Sequence, residues 1–170
     1  GTAGYLAEQN DIRIITNHTN QGFSTAVNQG MRESSGERIL ILSNDTLPPP
    51  GWLGRMNDQM DRSGASIVGP LSNYATLIQT VENVPYEADD TPAILEFAEQ
   101  TARDNRGKYT PAIALTGLCL LMKRSVVRRI GGFDPIFNPG NWEDIDFGLR
   151  ARALGLESII ARDVFIHHYG

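Results

Sequence analysis

Three short groups of polar residues carry side chains that could bind a metal ion or move a proton. The first group, 43–45, directly follows the apolar run 39–42, and the second, 167–168, directly follows the apolar run 164–166. The third group, 143–146, opens a segment with helical spacing. In sequence, the groups are Ser43-Asn44-Asp45, His167-His168 and Glu143-Asp144-Ile145-Asp146.

The three groups are expected to meet at one edge of a sheet. In open α/β sheets, ligands bind beyond the carboxyl ends of the strands. Carboxylates and imidazoles can hold a divalent cation there, and a carboxylate can accept the proton of a substrate hydroxyl. We therefore predict that Asp45, Asp144 and His168 converge on one cleft, although they are far apart along the chain.

Helix geometry separates the roles of the neighbouring acids. Asp146 and Arg150 are four residues apart and share a helix face, which favours a structural ion pair. Asp144 points about 100° away from Glu143 around the helix. Asp144 can therefore face a cleft while Asp146 and Arg150 bind each other.

Ordinary structural roles would also explain each group taken singly. An acid after a strand often caps a turn or a helix, and acids in a first helical turn interact favourably with the helix dipole. A histidine pair at the end of a strand is more often a surface feature than a metal site. The basic residues of 123–129 are typical of a solvated helix face.

The surrounding pattern predicts an α/β fold. Strand-like segments alternate with segments that carry apolar residues at helical spacing, which favours a mostly parallel sheet flanked by helices. The predicted strands are 11–15, 38–42, 65–69, 113–122 with a break at Thr116-Gly117, 158–160 and 164–166. The predicted helices are 3–9, 24–33, the segment from Trp52 through Met60, 92–106, 125–130 and 142–154. The stretch 71–90 is irregular and polar, and we predict a mobile loop there.

Composition narrows the possible partners and locations. The 170 residues carry a net charge of −5, which disfavours nucleic acid as a partner, and 41% of them are hydrophobic, as in an ordinary globular domain. Cys119 is the single cysteine, so no intrachain disulfide can form and a reducing, cytoplasmic setting is favoured. The longest mostly apolar stretch, 112–122, is too short to span a bilayer.

Taken in order, five segments resemble the family 2 glycosyltransferases, inverting nucleotide-sugar enzymes of the GT-A fold. The resemblance runs over nearly the whole chain, and the order of the segments makes it specific. The segments are the Asn-rich turn and helix Asn17–Gly30, the Asp-x-Asp-like Leu42–Thr46 followed by Gly51-Trp52-Leu53, the stretch Thr116–Asp134, the Glu-Asp-x-Asp-x-x-x-Arg-like Trp142–Arg150, and His168-Tyr169-Gly170.

The resemblance implies a role for each candidate residue. Asp45 and His168 would hold a divalent metal, Mg or Mn, at the donor diphosphate, and Asp144 would be the general base that takes the acceptor proton. The donor nucleotide sugar would contact Ser43, Asn44, Asn20 and Asn28. The sugar or acceptor would contact Trp142, Glu143, Asp146 and Arg150.

Two departures from the family pattern affect these expectations. Ser43 stands at the first acid of Asp-x-Asp; it can form a hydrogen bond but carries no charge, which weakens the case for metal dependence. Gly1-Thr2 resembles the tail of a family Asp-Gly-Thr turn, so we expect residues 1–170 to be one partial domain, truncated at both ends, whose first strands are missing. The missing strands would leave a gap in the sheet between 12–15 and 39–42. This fragment alone is then expected to bind nucleotide sugars weakly or not at all, in which case it would be inactive.

The implied reaction moves a sugar from a nucleoside diphosphate to a hydroxyl of a glycan, a lipid-linked or a protein acceptor, as in cell envelope polysaccharide synthesis. The protein would work in the cytoplasm or at the cytoplasmic membrane face, with peripheral membrane association through missing regions. Two alternatives stay open: a non-catalytic binding module of the same fold, and, with less support, a nucleotidyltransferase.

Overall fold

The computed structural model describes residues 2–170. Gly1, and with it part of the turn predicted at Gly1-Thr2, lies outside the described residues. The helices are α1 Thr2–Ala7, α2 Phe23–Glu33, α3 Trp52–Ser63, α4 Thr91–Asp104, α5 Arg124–Ile130 and α6 Glu143–Ala153. The strands are β1 Arg38–Leu42, β2 Thr46–Leu47, β3 Ile67–Leu71, β4 Tyr109–Ala112, β5 Cys119–Lys123, β6 Ser158–Phe165 and β7 His167–His168. Short 3₁₀ turns occur at Leu77–Gln79 and Pro135–Phe137.

Five strands form the central sheet in the order β1-β5-β3-β6-β4. Strands β3 and β6 are parallel, and β5 runs antiparallel between β1 and β3, so β1, β3 and β6 share one direction. Strand β4 is antiparallel to β6. The predicted α/β class is confirmed, and the sheet is mixed because β4 and β5 run against the other three strands.

Helices cover both faces of the sheet. The strand residues alternate between two apolar clusters: Ile67, Leu120 and Ile160 belong to the first, and Val68, Leu121 and Ile159 belong to the second. Helix α3 packs on the second cluster through Met56 and Met60, which are fully buried, while α2, α4, α5 and α6 contribute to the first. This two-sided burial explains why the strands are nearly continuous apolar runs.

A second, two-stranded sheet lies beyond the carboxyl edge of the first. Strand β2 pairs antiparallel with β7, so that Thr46 is opposite His168 and Leu47 is opposite His167. The pairing brings the turn after β1 beside the segment after β6. It therefore joins two of the three polar groups.

The strand predicted at 11–15 is wrong. This segment has no regular structure, and Ile12, Ile14 and Ile15 are 42–49% exposed. Isoleucine favours a strand only where a neighbouring backbone is available for pairing, and within residues 2–170 β1 is an edge strand with no neighbour on that side.

The strand predicted at 113–122 is correct only in its second half: β5 covers Cys119–Lys123, residues 113–118 contain no strand, and β4, Tyr109–Ala112, lies before the predicted range. Strand β4 is a partly exposed edge strand, so it lacks the apolar run that marks a buried strand. The strands predicted at 158–160 and 164–166 form the single strand β6, and β7 follows after Ile166.

No helix within residues 2–170 has the length and apolar character needed to cross a bilayer.

Candidate active site

A cleft of about 670 Å³ opens at the carboxyl edge of the sheet. Its walls come from the ends of β1 and β7, the turn before β5 and the start of α6. The lining residues used below are Phe23, Ser43, Thr76, Thr116, Gly117, Trp142, Glu143, Asp144 and His168. Asp45 lies next to this lining, because its carboxylate contacts His168. The predicted convergence of Asp45, Asp144 and His168 is therefore found.

The carboxylate of Asp45 and the imidazole of His168 face each other, and each presents a lone pair to the other. Oδ1 of Asp45 is 3.3 Å from Nε2 of His168. Nδ1 of His168 lies 2.9 Å from the carbonyl oxygen of Tyr74, which can only accept, so Nδ1 carries the ring hydrogen. In the neutral ring Nε2 then presents a lone pair to a carboxylate. Such an arrangement fits a cation between the two side chains.

The backbone of His168 is held by a single side chain. Asn73 donates through Nδ2 to the His168 carbonyl oxygen (3.0 Å) and accepts from its N–H at Oδ1 (2.8 Å). The backbone N–H of Tyr169 donates to the carbonyl oxygen of Asp45 (2.9 Å). The candidate metal pair is therefore fixed by local hydrogen bonds. Within residues 2–170, no third histidine, cysteine or acidic side chain joins this pair to form a metal-ligand cluster.

Asp144 is placed at the cleft by two backbone donors. Its Oδ2 accepts from the N–H of Gly117 and its Oδ1 accepts from the N–H of Ile145, both at 2.8 Å. A Cβ built on Gly117 would lie 3.4 Å from the Phe23 ring and 3.7 Å from the Cβ of Asp144, so the turn before β5 lies close to the start of α6. The carboxylate is thus oriented from both sides and keeps lone pairs toward the cleft.

The turn that holds Asp144 is itself fixed by Gln79. Gln79 is 1% exposed; its Nε2 donates to the Pro70 carbonyl oxygen (2.9 Å) and its Oε1 accepts from the Thr116 N–H (2.7 Å). The hydroxyl of Thr116 also bonds the hydroxyl of Thr76 at 2.7 Å. The stretch 71–90 is irregular, as predicted, but these bonds tie its first half to β3 and to the cleft.

We expect Gln79→Met to lower the free energy of unfolding by about 2–6 kcal/mol, because two backbone groups lose their partners at about 1–3 kcal/mol each. The measurement is chemical denaturation of the full-length protein, with Gln100→Met on the exposed face of α4 as the control. Equal stabilities of the two variants would contradict this account of Gln79.

Glu143 is buried beside Asp144. It is 6% exposed, and its Oε2 has no hydrogen-bond partner. Burial raises the pKa of this carboxyl above its ordinary value, and the negative charge of Asp144 adds to the rise. A raised pKa means that the folded state binds the proton more tightly than the unfolded chain. This contribution to stability is fully present below the unfolded pKa and is lost as the pH rises through the higher, folded pKa.

Glu143→Gln is therefore expected to unfold at a higher temperature than the wild type at pH 8, with a difference that closes toward pH 4. The measurement is the Tm as a function of pH. Glu96→Gln, on the exposed side of α4, should show no such pH-dependent gain. A Glu143→Gln gain that is the same at both pH values would rule out the buried charge as its cause.

The backbone before α6 is in an uncommon conformation. Asn141 and Trp142 have φ values of 91° and 74°, the left-handed region that costs a non-glycine residue about 1–3 kcal/mol. Trp142 is 68% exposed and lies on the cleft wall. The conformation directs Glu143 and Asp144 into the first turn of α6, where the helix dipole favours negative charge.

Asp146 and Arg150 form the predicted ion pair but do not line the cleft. Arg150 Nε is 2.7 Å from Asp146 Oδ2, and its other nitrogens donate to the carbonyl oxygens of Ile130 (2.6 Å) and Gly132 (2.9 Å). Two of the three guanidinium nitrogens thus join α6 to the end of α5 and the loop after it, and the third binds Asp146 within α6. This geometry favours the structural pair over the substrate contact predicted from the resemblance.

Asn20 and Asn28 also bind protein groups rather than open space in the cleft. Asn28 exchanges two hydrogen bonds with the backbone of Phe133 (2.7 and 2.9 Å), and Asn20 accepts from the N–H of Gly22 (2.8 Å). The structure therefore does not support the donor-binding role predicted for these two residues. A side-chain amide can accept from the N–H and donate to the C=O of one residue, and Asn28 does so with Phe133, which holds the loop before α6. Asn44 lies on the turn beside Asp45.

Comparison with protein families decides the group to which this chain belongs. The profile described as Glycosyl transferase family 2 matches residues 2–131, well over half of the chain. The chain belongs to glycosyl transferase family 2. The family resemblance predicted from the sequence is confirmed. The match includes Ser43, Asp45 and Gly117 and ends before α6 and His168.

One curated relative of this family 2 chain is the O-antigen biosynthesis protein RfbC of Myxococcus xanthus. The two are 26% identical over 148 residues, which are 83% of this chain and 12% of that protein. The chain therefore spans a small part of that relative's length.

A solved structure shows the same fold. The crystal structure of GalNAc-T7 with UDP, GalNAc and Mn²⁺ superposes with a TM-score of 0.71 at 14% identity, covering 98% of this chain and 34% of that one. At this identity the similarity establishes the fold, which is the predicted GT-A fold.

Proposed function

We propose that the full-length protein is an inverting glycosyltransferase that moves a sugar from a nucleoside diphosphate donor to a hydroxyl of a glycan acceptor. The observation that carries the proposal is the convergence of the Asp45–His168 pair and Asp144 on one cleft. Family membership, the O-antigen biosynthesis relative and the UDP-bound structural neighbour all support the same class of reaction. A cytoplasmic location stays a prediction.

The residues at the carboxyl edge fit a divalent cation, Mg or Mn. Asp45 and His168 would hold it through one carboxylate and one imidazole nitrogen, and phosphate oxygens of the donor would complete its ligands. When bound, such an ion neutralises the charge of a leaving diphosphate. The absence of an acid at Ser43 leaves the protein with few charged ligands, so the donor itself would supply a large share of the coordination.

The chain's own residues would perform the proton transfer and the positioning. Asp144 would accept the proton of the acceptor hydroxyl while the Gly117 N–H keeps its carboxylate oriented. The exposed ring of Trp142 would provide an apolar surface for a sugar, and Ser43 would hydrogen-bond the donor. Attack from the Asp144 side, opposite the leaving group, inverts the anomeric carbon in one displacement.

The test is a panel of nucleotide sugars incubated with the full-length protein, with and without Mn²⁺, and analysed for released nucleoside diphosphate. Release of nucleoside diphosphate together with a product of inverted anomeric configuration by NMR is the expected result. Release of pyrophosphate would identify a nucleotidyltransferase instead. Donor binding without release under any condition would identify a binding module, and both results would overturn the proposal.

A further inference from the structure

A second cavity, of about 290 Å³, lies between α3 and α4, separate from the cleft. We call it the arginine pocket, because its lining includes Arg55, Arg62, Arg103 and Arg106. The glycosyltransferase chemistry proposed above uses none of these residues. Arginine is the side chain best suited to bind phosphate, since its planar guanidinium donates two parallel hydrogen bonds.

The positive charges of the arginine pocket are only partly compensated. Arg103 lies 3.6 Å from Glu99, but Arg62 and Arg106 form no ion pair and no side-chain hydrogen bond with any group of residues 2–170. The acids of the lining are Asp58, Glu99 and Asp163. The lining therefore carries one positive charge in excess.

The buried acid of the pocket is already bound by neutral groups. Asp163, 5% exposed, accepts from Gln59 Nε2 at 2.9 Å and from the N–H of Gly107 at 2.8 Å. Arg62 and Arg106 are therefore not needed to satisfy its two oxygens.

Gln59 supplies an unused acceptor in the pocket wall. It is 1% exposed, and its Oε1 has no hydrogen-bond partner. Its Nε2 is directed by two acceptors, Asp163 and the carbonyl oxygen of Lys108 (3.2 Å), which fixes the orientation of the amide. The buried Nε of Arg55 also has no partner. An unpaired buried acceptor and donor in one wall fit a ligand that both donates and accepts hydrogen bonds.

A glycine leaves room for one of the arginines. Gly107 has a φ of 73°, and a Cβ built on it would be 2.7 Å from Nη1 of Arg62. A side chain at this turn would therefore displace the Arg62 guanidinium from the pocket.

We propose that the arginine pocket binds a phosphate group that carries a hydrogen-bond donor, either inorganic phosphate or a phosphate monoester. Arg62 and Arg106 bind its negative oxygens, and a P–OH or an adjacent hydroxyl donates to Oε1 of Gln59. Sulfate has the same shape as phosphate but carries no proton at neutral pH, so it cannot satisfy Gln59. The site is independent of the cleft and of the proposed transfer reaction.

The test is calorimetric titration of the full-length protein, free of added metal, with inorganic phosphate, sulfate and glucose 1-phosphate. We expect saturable phosphate binding that Arg62→Met and Arg106→Met each weaken by about tenfold, as for the loss of one charge-assisted hydrogen bond. Arg32→Met, which removes the same charge from the exposed side of α2, should change the Kd by less than about twofold. Phosphate should bind about tenfold more tightly than sulfate.

Each outcome decides a part of the proposal. No saturable phosphate binding, or equal weakening by Arg62→Met and Arg32→Met, would overturn the site, and equal binding of sulfate would overturn the role of Gln59. Binding of glucose 1-phosphate as tightly as phosphate would support the site with a phosphate monoester as its ligand. Binding of inorganic phosphate with exclusion of glucose 1-phosphate would support it with the free ion.

Discussion

Asp144→Asn in the full-length protein is expected to lower the rate of sugar transfer by about 10²–10⁴-fold, the usual effect of removing a general base. An amide cannot take the acceptor proton, while the donor side of the cleft, at Asp45 and His168, is unchanged. Donor binding should therefore persist, and kcat should fall more than KM rises. The measurement is steady-state transfer combined with donor binding by calorimetry.

The hydrogen bonds of Asp144 add a stability effect to this prediction. Both carboxylate oxygens accept from backbone N–H groups, so the amide nitrogen that replaces one of these oxygens in Asp144→Asn must face a backbone donor. We expect a cost of about 1–3 kcal/mol, and rates must be compared at a temperature where the variant is folded.

Asp146→Asn is the matched control for Asp144→Asn. Asp146 bonds Arg150 at the junction with the loop after α5, so its loss should lower stability by about 0.5–1 kcal/mol and leave most of the transfer rate. The two acids are two residues apart on one helix, and the substitution is the same. Near-normal transfer by Asp144→Asn together with an inactive, well-folded Asp146→Asn would reassign the base to Asp146.

Removal of either member of the Asp45–His168 pair is expected to reduce metal-stimulated transfer by roughly 10²–10³-fold, since stabilisation of the leaving diphosphate by a cation is worth several kcal/mol. Asp45→Asn and His168→Gln keep the approximate size of each side chain but weaken its ability to bind a cation. Direct Mn²⁺ binding, followed by electron paramagnetic resonance in the presence of the nucleoside diphosphate that the donor panel identifies, should weaken in parallel with activity.

Exposed residues of the same types provide controls for these two variants. Asp89→Asn in the irregular stretch and His18→Gln in the turn before α2 change exposed residues. Transfer that is insensitive to added chelator in the wild type, or full activity of His168→Gln, would show that the pair does not hold a metal.

The sequence was sufficient to predict the fold wherever a residue's position depends on its own neighbours in the chain. The helices of 24–33, 92–106 and 142–154 follow from apolar spacing, and the i, i+4 pair of Asp146 and Arg150 follows from helix geometry alone. The strand at 11–15 failed because pairing depends on a second segment, which its composition cannot reveal.

The supports of the site could not be predicted for the same reason. Asn28 donates a hydrogen bond to a backbone carbonyl oxygen 105 residues away. Gln79 forms hydrogen bonds with the backbones of Pro70 and of Thr116, and Thr116 lies 37 residues after Gln79. The sequence does not distinguish an asparagine or glutamine that orients a backbone from one that binds a ligand. The motif residues Asn20 and Asn28 were therefore assigned to the donor, whereas Gln79, in an unpatterned stretch, gave no signal.

The position of β6 in the sheet determines when this fold can form during synthesis. Strand β6 lies between β3 and β4, and its residue Ser158 pairs with Ile67, which is synthesised much earlier. Until residues 158–165 leave the ribosome, β3 and β4 have no strand between them and the apolar faces of α3 and α4 lack their common support. Such long-range pairing is slow, so the nascent chain must keep these surfaces from aggregating until its last central strand arrives.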